Sequence, residues 1–408
     1  MDDQISPSFW MKEKILTAKK KSIEDNNILI IGSGISGVSC AFSLLNKNSQ
    51  MGISIVDYEV EKSASFRNCG HVLLGSAESP KALLSLHGKE VTKTIWQFSH
   101  DACVKLKETI KQHNISCDFK NNGYLVMAID ESESCEIKSS LEILSEIGFP
   151  GEFYDHDQVA KLGFKKILAA RYDPYSCQVH PVKLRNGLLN FILENENITY
   201  SSGVKVLDLE ASVDGVKVIT DQGTRFFDAV IVACNAYTPF ISRSLEAKEL
   251  VVPFKGQIMT SQPLKHPFQV TYPHSFDHGY MYALVTGDNR LMIGGWRNHI
   301  EGGELGQYGL APNPILESGL DAFVQSHYEL QNEKLIWPYS WSGLMASSSS
   351  GFPFVGPIED RVYLCLGYTG YGLAWAHSCG ELLANIIFGH SYDSNVAKYL
   401  NPRRFYKA

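Results

Sequence analysis

The sequence predicts an α/β chain whose first domain is of the Rossmann type and is left and re-entered twice. Three observations predict it. A glycine-rich turn, Gly32-Ser33-Gly34-Ile35-Ser36-Gly37, joins an apolar strand at Ile28–Ile31 to a helix that runs to about residue 47. A second apolar strand at 53–56 is closed by an acid, Asp57, 20 residues past Gly37. Near the other end, glycines 367, 370 and 372 join the strand Val362–Leu366 to a last long helix over about 373–388.

Each element follows from local chemistry. Gly32 permits the tight turn, Gly34 lets a phosphate approach the backbone, and Gly37 lets helix and strand pack closely. The free N–H groups at the helix start then face the phosphates of a dinucleotide, and Asp57 is placed to bind a ribose 2′-hydroxyl. Residues 80–115 have helical spacing, with Leu83, Leu84, Val104, Leu106 and Ile110 at core positions. Strand signals run from Gly123 through Met127, and a helix is predicted over 136–147. His180-Pro181 opens a helix to about 193, proline suiting its first turn. Alternating valines and Leu209 at 204–218 precede a buried strand at 229–233, strand signals dominate 249–300, and serines at 347–350 follow Trp337. This order assigns 1–115, 175–248 and 336–408 to the first domain, and 116–174 and 249–335 to a second, α+β domain.

Composition bounds the function. At 408 residues, 44% of them hydrophobic and 20% charged, the chain can bury a sizeable core. A net charge of −7 argues against nucleic acid as a partner. None of the nine cysteines forms a Cys-x-x-Cys pair, and Cys40, Cys234, Cys365 and Cys379 sit in apolar runs. That is the pattern of buried, reduced thiols in a cytoplasmic protein, with no metal site. Residues 1–10 are polar with two acids, unlike a signal peptide. The lysines of 12–21 read as a solvated helix face, and no apolar run approaches the ~18 residues of a membrane span.

The first glycine turn does not separate FAD from a nicotinamide dinucleotide. Two further segments bear on the choice. Ser65-Phe66-Arg67-Asn68-Cys69-Gly70-His71 places polar groups and a glycine soon after the ribose acid, where a flavin ring lies beyond the pyrophosphate. The turn Gly367 to Gly372 is a second helix start, whose amides suit the N1–C2=O edge of a flavin that becomes anionic on reduction. On spacing alone, a purely structural turn explains those glycines equally well.

Together these segments resemble the D-amino-acid-oxidase-like superfamily of FAD-dependent amine and amino-acid oxidoreductases, and within it the bacterial gamma-glutamylputrescine oxidase and glycine oxidase type. The similarity runs nearly end to end. It is carried by Ser6 to Trp10, Arg67 to Gly70, His180-Pro181, Ala233 to Tyr237, Pro253 to Gln257, Trp341 to Gly343, Phe352 to Gly356 and Gly367 to Leu373. The resemblance implies that Gly32, Ser33, Gly34, Ile35, Ser36, Gly37, Asp57 and Tyr58 hold the ADP half of FAD, with the Val206 backbone at the adenine. Ala233, Cys234 and Asn235 would line the crevice. Ser65, Arg67, Asn68, Cys69, Gly70 and His71, with Gly343, Gly370, Tyr371, Gly372 and Leu373, would surround the ring. A mostly antiparallel sheet would roof the substrate face. The implied activity is oxidation of a small amine or amino acid to an imine, with oxygen or another acceptor taking the electrons. The alternative is an accessory flavoprotein that acts on or matures a partner protein.

Departures from the family pattern bear on substrate. Amino-acid-oxidising members often carry an arginine soon after the glycine matching Gly343, to clamp a carboxylate; here Leu344 and Met345 stand there. That predicts an amine without an adjacent carboxylate, or a carboxylate held elsewhere, with Arg297 as the candidate and a surface arginine at a turn as its plainer reading. Met292 stands where some relatives place a lysine that promotes reaction with oxygen. Tyr280, Tyr282, Trp296, Tyr368 and Tyr371 are candidates for an aromatic cage around an amine, or ordinary core. His71 is a candidate to orient substrate or to link to flavin, or is simply a buried histidine. A pocket that favours the neutral amine needs no side-chain base, so no catalytic residue is assigned.

Overall fold

A computed structural model of the chain describes residues 5–14, 16, 27–246 and 248–405. Most of the basic stretch at 12–21, and residues 1–4 of the polar N-terminus, lie outside the described residues.

All four residues of Ile28–Ile31 are buried, so both faces of this strand need cover. Ile28 and Ile30 pack with the helices Ile35–Lys47, Pro181–Leu193 and Gly372–Phe388, while Leu29 and Ile31 pack on the opposite side. There a three-stranded meander, Val206–Ala211, Val216–Thr220 and Gly223–Phe227, supplies the cover. Around Ile28–Ile31 a six-stranded sheet forms in the order Phe354–Glu359, Val362–Leu366, Ala229–Val232, Ile28–Ile31, Ile53–Asp57 and Ile198–Ser202. All but Phe354–Glu359 run parallel. The first and last long helices cross at backbone contact. A Cβ on Gly380 would stand 2.8 Å from the backbone of Ser39.

The second sheet has eight strands in the order Tyr339–Ser348, Val251–Thr260, Leu291–Gly295, Met281–Val285, His274–Phe276, Tyr124–Ala128, Ala169–Asp173 and Glu152–Asp155. Its pairings are antiparallel except that of His274–Phe276 with Tyr124–Ala128. One register row crosses it, from Ile258 through Gly294, Tyr282, Ser275 and Val126 to Arg171. Residues opposite one another project to the same face, and this row faces the site. The reverse face, with Met259, Met281 and Ile293, packs on the helix Pro314–His327.

Three boundaries differ from expectation. Tyr339–Ser348 pairs along its whole length with Val251–Thr260, so this part of 336–408 lies in the second sheet. The helix expected at 136–147 spans Glu131–Glu146, because the Asp130 side chain caps it by accepting from Glu133 N–H. The helix expected at 80–115 is Pro80–Gln112, broken at Gly88, where φ is +78°. All nine cysteines are unpaired, and Cys135 is exposed. Among the described residues no helix is long and apolar enough to cross a membrane.

Candidate functional site

A cavity of about 1200 Å³ lies between the carboxyl ends of the parallel strands and the face of the eight-stranded sheet. At one end stands the first glycine turn. A Cβ on Gly32, where φ is +103°, would lie 2.7 Å from the carbonyl oxygen of Ala233, and one on Gly37 would overlap the carbonyl of Gly32. The chain's own packing therefore demands both glycines. Gly34 is different, because its nearest neighbour would be only the Ser65 hydroxyl at 2.9 Å, the end of a movable side chain. Gly32, Gly34, Ile35 and Ser36 line the cavity, whereas Ser33 and Gly37 stand behind the wall.

Ser33 acts from there. Its N–H donates to Asp57 Oδ2 at 2.6 Å and its hydroxyl to the same oxygen at 3.0 Å. Burial pushes the Asp57 carboxyl above its ordinary range, against these two bonds. Asp57 Oδ1 has no partner among the described residues. Arg185, fully buried on Pro181–Leu193, donates from Nε to the Ser33 carbonyl and from Nη2 to its hydroxyl, each at 2.8 Å. Sequence reasoning passed over Arg185. Its signal was an arginine on the same apolar helix face as Val182, Leu188 and Leu189.

Tyr58 and Val206 line the outer part of this end. Ala233, Cys234 and Asn235 line the crevice, and Asn235 Oδ1 accepts from Gly367 N–H at 3.0 Å, tying two strand ends together.

In the middle of the cavity, Ser65, Arg67, Asn68, Cys69, Gly70 and His71 face Gly343, Gly370, Tyr371, Gly372 and Leu373. The N-terminal segment braces this turn from beneath. Ser8 Oγ donates to Phe66 O at 2.6 Å and Trp10 Nε1 to Asn68 O at 2.7 Å. Arg67 is 2% exposed; it donates from Nε to Ser342 O and from Nη2 to Ser6 O. Its Nη1 has no partner among the described residues. Desolvation lowers its pKa to about 10, so it stays cationic at neutral pH. Burial drives His71 to about 3, so it is neutral, and its Nε2 is likewise unpartnered among the described residues. The last long helix starts with no side-chain cap and no acid in its first turn.

The roof closes the far side with Ile258, Ser275, Tyr280 and Tyr282, and Tyr124 stands beside them. Arg297 lines the wall between the rings of Phe254 at 4.6 Å and Tyr280 at 4.9 Å, and donates to Gly303 O. Trp296 does not line the cavity. With φ of +70° it lays its indole on the helix Pro314–His327, where a Cβ on Gly319 would overlap the ring, and it stacks on His299 at 4.1 Å. Leu344 and Met345 line the wall, whereas Met292 is fully buried among Phe9, Trp10 and Trp341 and does not. Tyr368 lines the cavity with its hydroxyl 2.7 Å from Ser36 Oγ. Arg171 also lines it, unsuspected from the sequence. Its signal was an arginine in the alternation Ala169, Arg171, Asp173, on a face that is buried throughout.

These residues fit FAD. Gly34 leaves room at a helix start, Asp57 keeps one oxygen free of the chain, and the unpartnered polar atoms of Arg67 and His71 stand beside glycine backbone.

Comparison with known proteins agrees with this fit. A family profile described as FAD dependent oxidoreductase matches residues 27–386. The chain is 24% identical over 389 residues to a probable oxidoreductase OrdL of Haemophilus influenzae, covering 90% of this chain and 84% of the relative. It is 24% identical over 375 residues to gamma-glutamylputrescine oxidoreductase of Escherichia coli, covering 89% and 84%. In fold it is similar to L-proline dehydrogenase from P. horikoshii, with a TM-score of 0.76, 20% identity and coverage of 94% of this chain and 98% of the other.

Proposed function

The chain belongs to the family of FAD-dependent oxidoreductases, and from that premise we propose that it oxidises the C–N bond of a small amine or amino acid to an imine. The observation that carries the reading is the pocket continuing past the ring-facing glycines under the roof sheet, walled by Tyr124, Tyr280, Tyr282 and Tyr371. FAD, when bound there, supplies the acceptor for the hydride of a C–H bond next to nitrogen.

The chain's own residues do the rest. Gly343 and Gly370 to Leu373 line the wall against which the ring would lie, and the uncapped helix start places about half a positive charge beside it. Burial pushes the Tyr371 hydroxyl up to about 12 and those of Tyr124 and Tyr282 higher still. These hydroxyls stay protonated and take no proton. His71, held to about 3 by burial, resists taking a proton as well, so neither it nor the tyrosine walls beside the ring-facing glycines supply a base. They favour the neutral amine instead, because a buried ammonium without a partner is costly. The neutral amine loses hydride from carbon and leaves as an iminium ion, which water hydrolyses to a carbonyl and a released amine. Similarity over most of the chain to a gamma-glutamylputrescine oxidoreductase supports the amine class.

The test is anaerobic mixing of the FAD-loaded protein with a panel of amines and amino acids while flavin absorbance is followed. At least one member is expected to bleach it. Bleaching by none, with dithionite still reducing the flavin, would sink the reading.

A further inference from the structure

Three arginines of the chain are buried: Arg67, Arg171 and Arg185. Two are served by the protein itself. Arg67 donates to two carbonyls and keeps only Nη1 without a partner among the described residues, and Arg185 donates to the carbonyl and hydroxyl of Ser33, to Tyr200 and to Asn186. Arg171 is the exception. It is 9% exposed, and among the described residues no carboxylate lies within 4.0 Å of its guanidinium and no carbonyl or hydroxyl accepts from it. Asp173 shares its face of the strand, but the Asp173 carboxylate is turned to Tyr175 N–H at 2.8 Å and to the Ser176 hydroxyl. The Arg171 nitrogens open on the cavity and make no bond to the described chain, so a ligand there can supply acceptors to a guanidinium that offers five donors.

Its position says what that partner is. Arg171 ends the cavity-facing row that begins over the ring site at Ile258 and passes Tyr282, Ser275 and Val126. Asp173, the strongest of its charged neighbours, Tyr371, at the start of the last long helix, and Tyr124 act on it electrostatically. The guanidinium fork matches a carboxylate in two parallel hydrogen bonds. Beyond Gly343, where a clamp was expected, Leu344 and Met345 put only apolar surface on the wall. Arg297 is already held between two rings and a carbonyl.

We propose that Arg171 binds a carboxylate of the substrate, so that the substrate is an amine bearing a carboxylate and not a plain alkylamine. This deepens the amine-oxidation reading and rests on it for the identity of the site. The anion is held from the opposite end of the roof sheet to the strand that follows Trp341.

Two measurements separate the proposal from that reading. Calorimetric titration of the FAD-loaded protein with butyrate and butyramide needs no turnover. Wild type is expected to bind butyrate about tenfold or more tightly than butyramide, about 1.4 kcal/mol or more. Arg171→Met should abolish the preference, and Arg171→Lys should keep part of it, with FAD content and melting temperature unchanged. Steady-state rates with the series from glycine to 6-aminohexanoate and the matching amides give the second readout. Arg171→Met is expected to raise KM for the acids about a hundredfold, to leave kcat little changed, and to leave the amides within twofold. Equal binding of butyrate and butyramide by wild type overturns the proposal, as does an undiminished preference in Arg171→Met. If no member of the series reduces the flavin, amine oxidation fails while the titration still decides Arg171.

Discussion

The two ends of the cavity are built on opposite plans. At the dinucleotide end the chain offers backbone: a six-residue turn, a helix start, and one acid closing the next strand. At the roof end it offers side chains, drawn from strands scattered between Tyr124 and Gly295 and aligned only by sheet register. A backbone site tolerates almost any side chain except at its glycines. A side-chain site depends on which face of a strand each residue occupies, and a slip of one residue would exchange the faces. The contrast teaches that cofactor and substrate specificity are separable here, and mutations can test how far.

The largest effects are expected within the first turn. Gly37→Ala would drive a methyl group into the Gly32 carbonyl, which cannot move without breaking the turn. A cost above ~3 kcal/mol is expected, seen as little folded protein. Gly34→Val meets only the Ser65 hydroxyl, so the protein should fold yet bind FAD roughly a hundredfold more weakly, because the branched side chain blocks the pyrophosphate. Circular dichroism and flavin content read the two apart. Full flavin occupancy in Gly34→Val would break the comparison at its backbone end.

At the roof end, Trp296 and Tyr282 sharpen it. Trp296→Ala should lower stability by roughly 1–3 kcal/mol, since its half-buried ring packs on helix and histidine. It should leave substrate KM unchanged. Tyr282→Ala should raise KM. A Trp296→Ala enzyme with intact stability and a raised KM would place the indole in the pocket after all.

Acid is expected to act on the roof. His274 is fully buried there, with Nδ1 bonded to Tyr272 O at 2.8 Å and Nε2 to the Tyr328 hydroxyl at 2.6 Å. Burial lowers its pKa to about 4 from an ordinary 6.5. The unfolded chain therefore takes up the proton first. Stability present above pH 6.5 is lost as pH falls toward 4, on the order of 1 kcal/mol per pH unit for such a histidine. Urea unfolding at pH 7 and pH 5 checks this, and equal midpoints would contradict it.

The smallest effect belongs to the second helix start. A Cβ on Gly372 would make only ordinary contact with the Tyr368 ring at 3.5 Å, so Gly372→Val should fold and keep FAD. Sulfite affinity should fall by about tenfold at most, the scale of a helix-end charge, and the flavin midpoint potential should fall with it. An unchanged sulfite affinity and potential would assign these glycines to packing alone.

The dinucleotide end is legible along the chain because its requirements are local. The requirement for glycine at 32 and 37, the apolar strand before them and the acid at Asp57 all lie within 30 residues, and each is set by backbone sterics or strand periodicity. The remainder depends on contacts between segments far apart in the chain. Tyr339–Ser348 has serines at 340, 342, 347 and 348 and reads as no strand until Val251–Thr260 pairs with it. Trp296 and Arg297 are neighbours in sequence, yet a left-handed φ at Trp296 turns one ring onto a helix and leaves the other side chain on the cavity wall. Arg185 and Arg171 look alike as arginines in apolar surroundings. Packing brings the first against Ser33, while register carries the second into the cavity with no acceptor from the described chain. Which buried charge the protein satisfies and which it leaves for a ligand is settled by contacts between distant segments, and no local rule of sequence contains them.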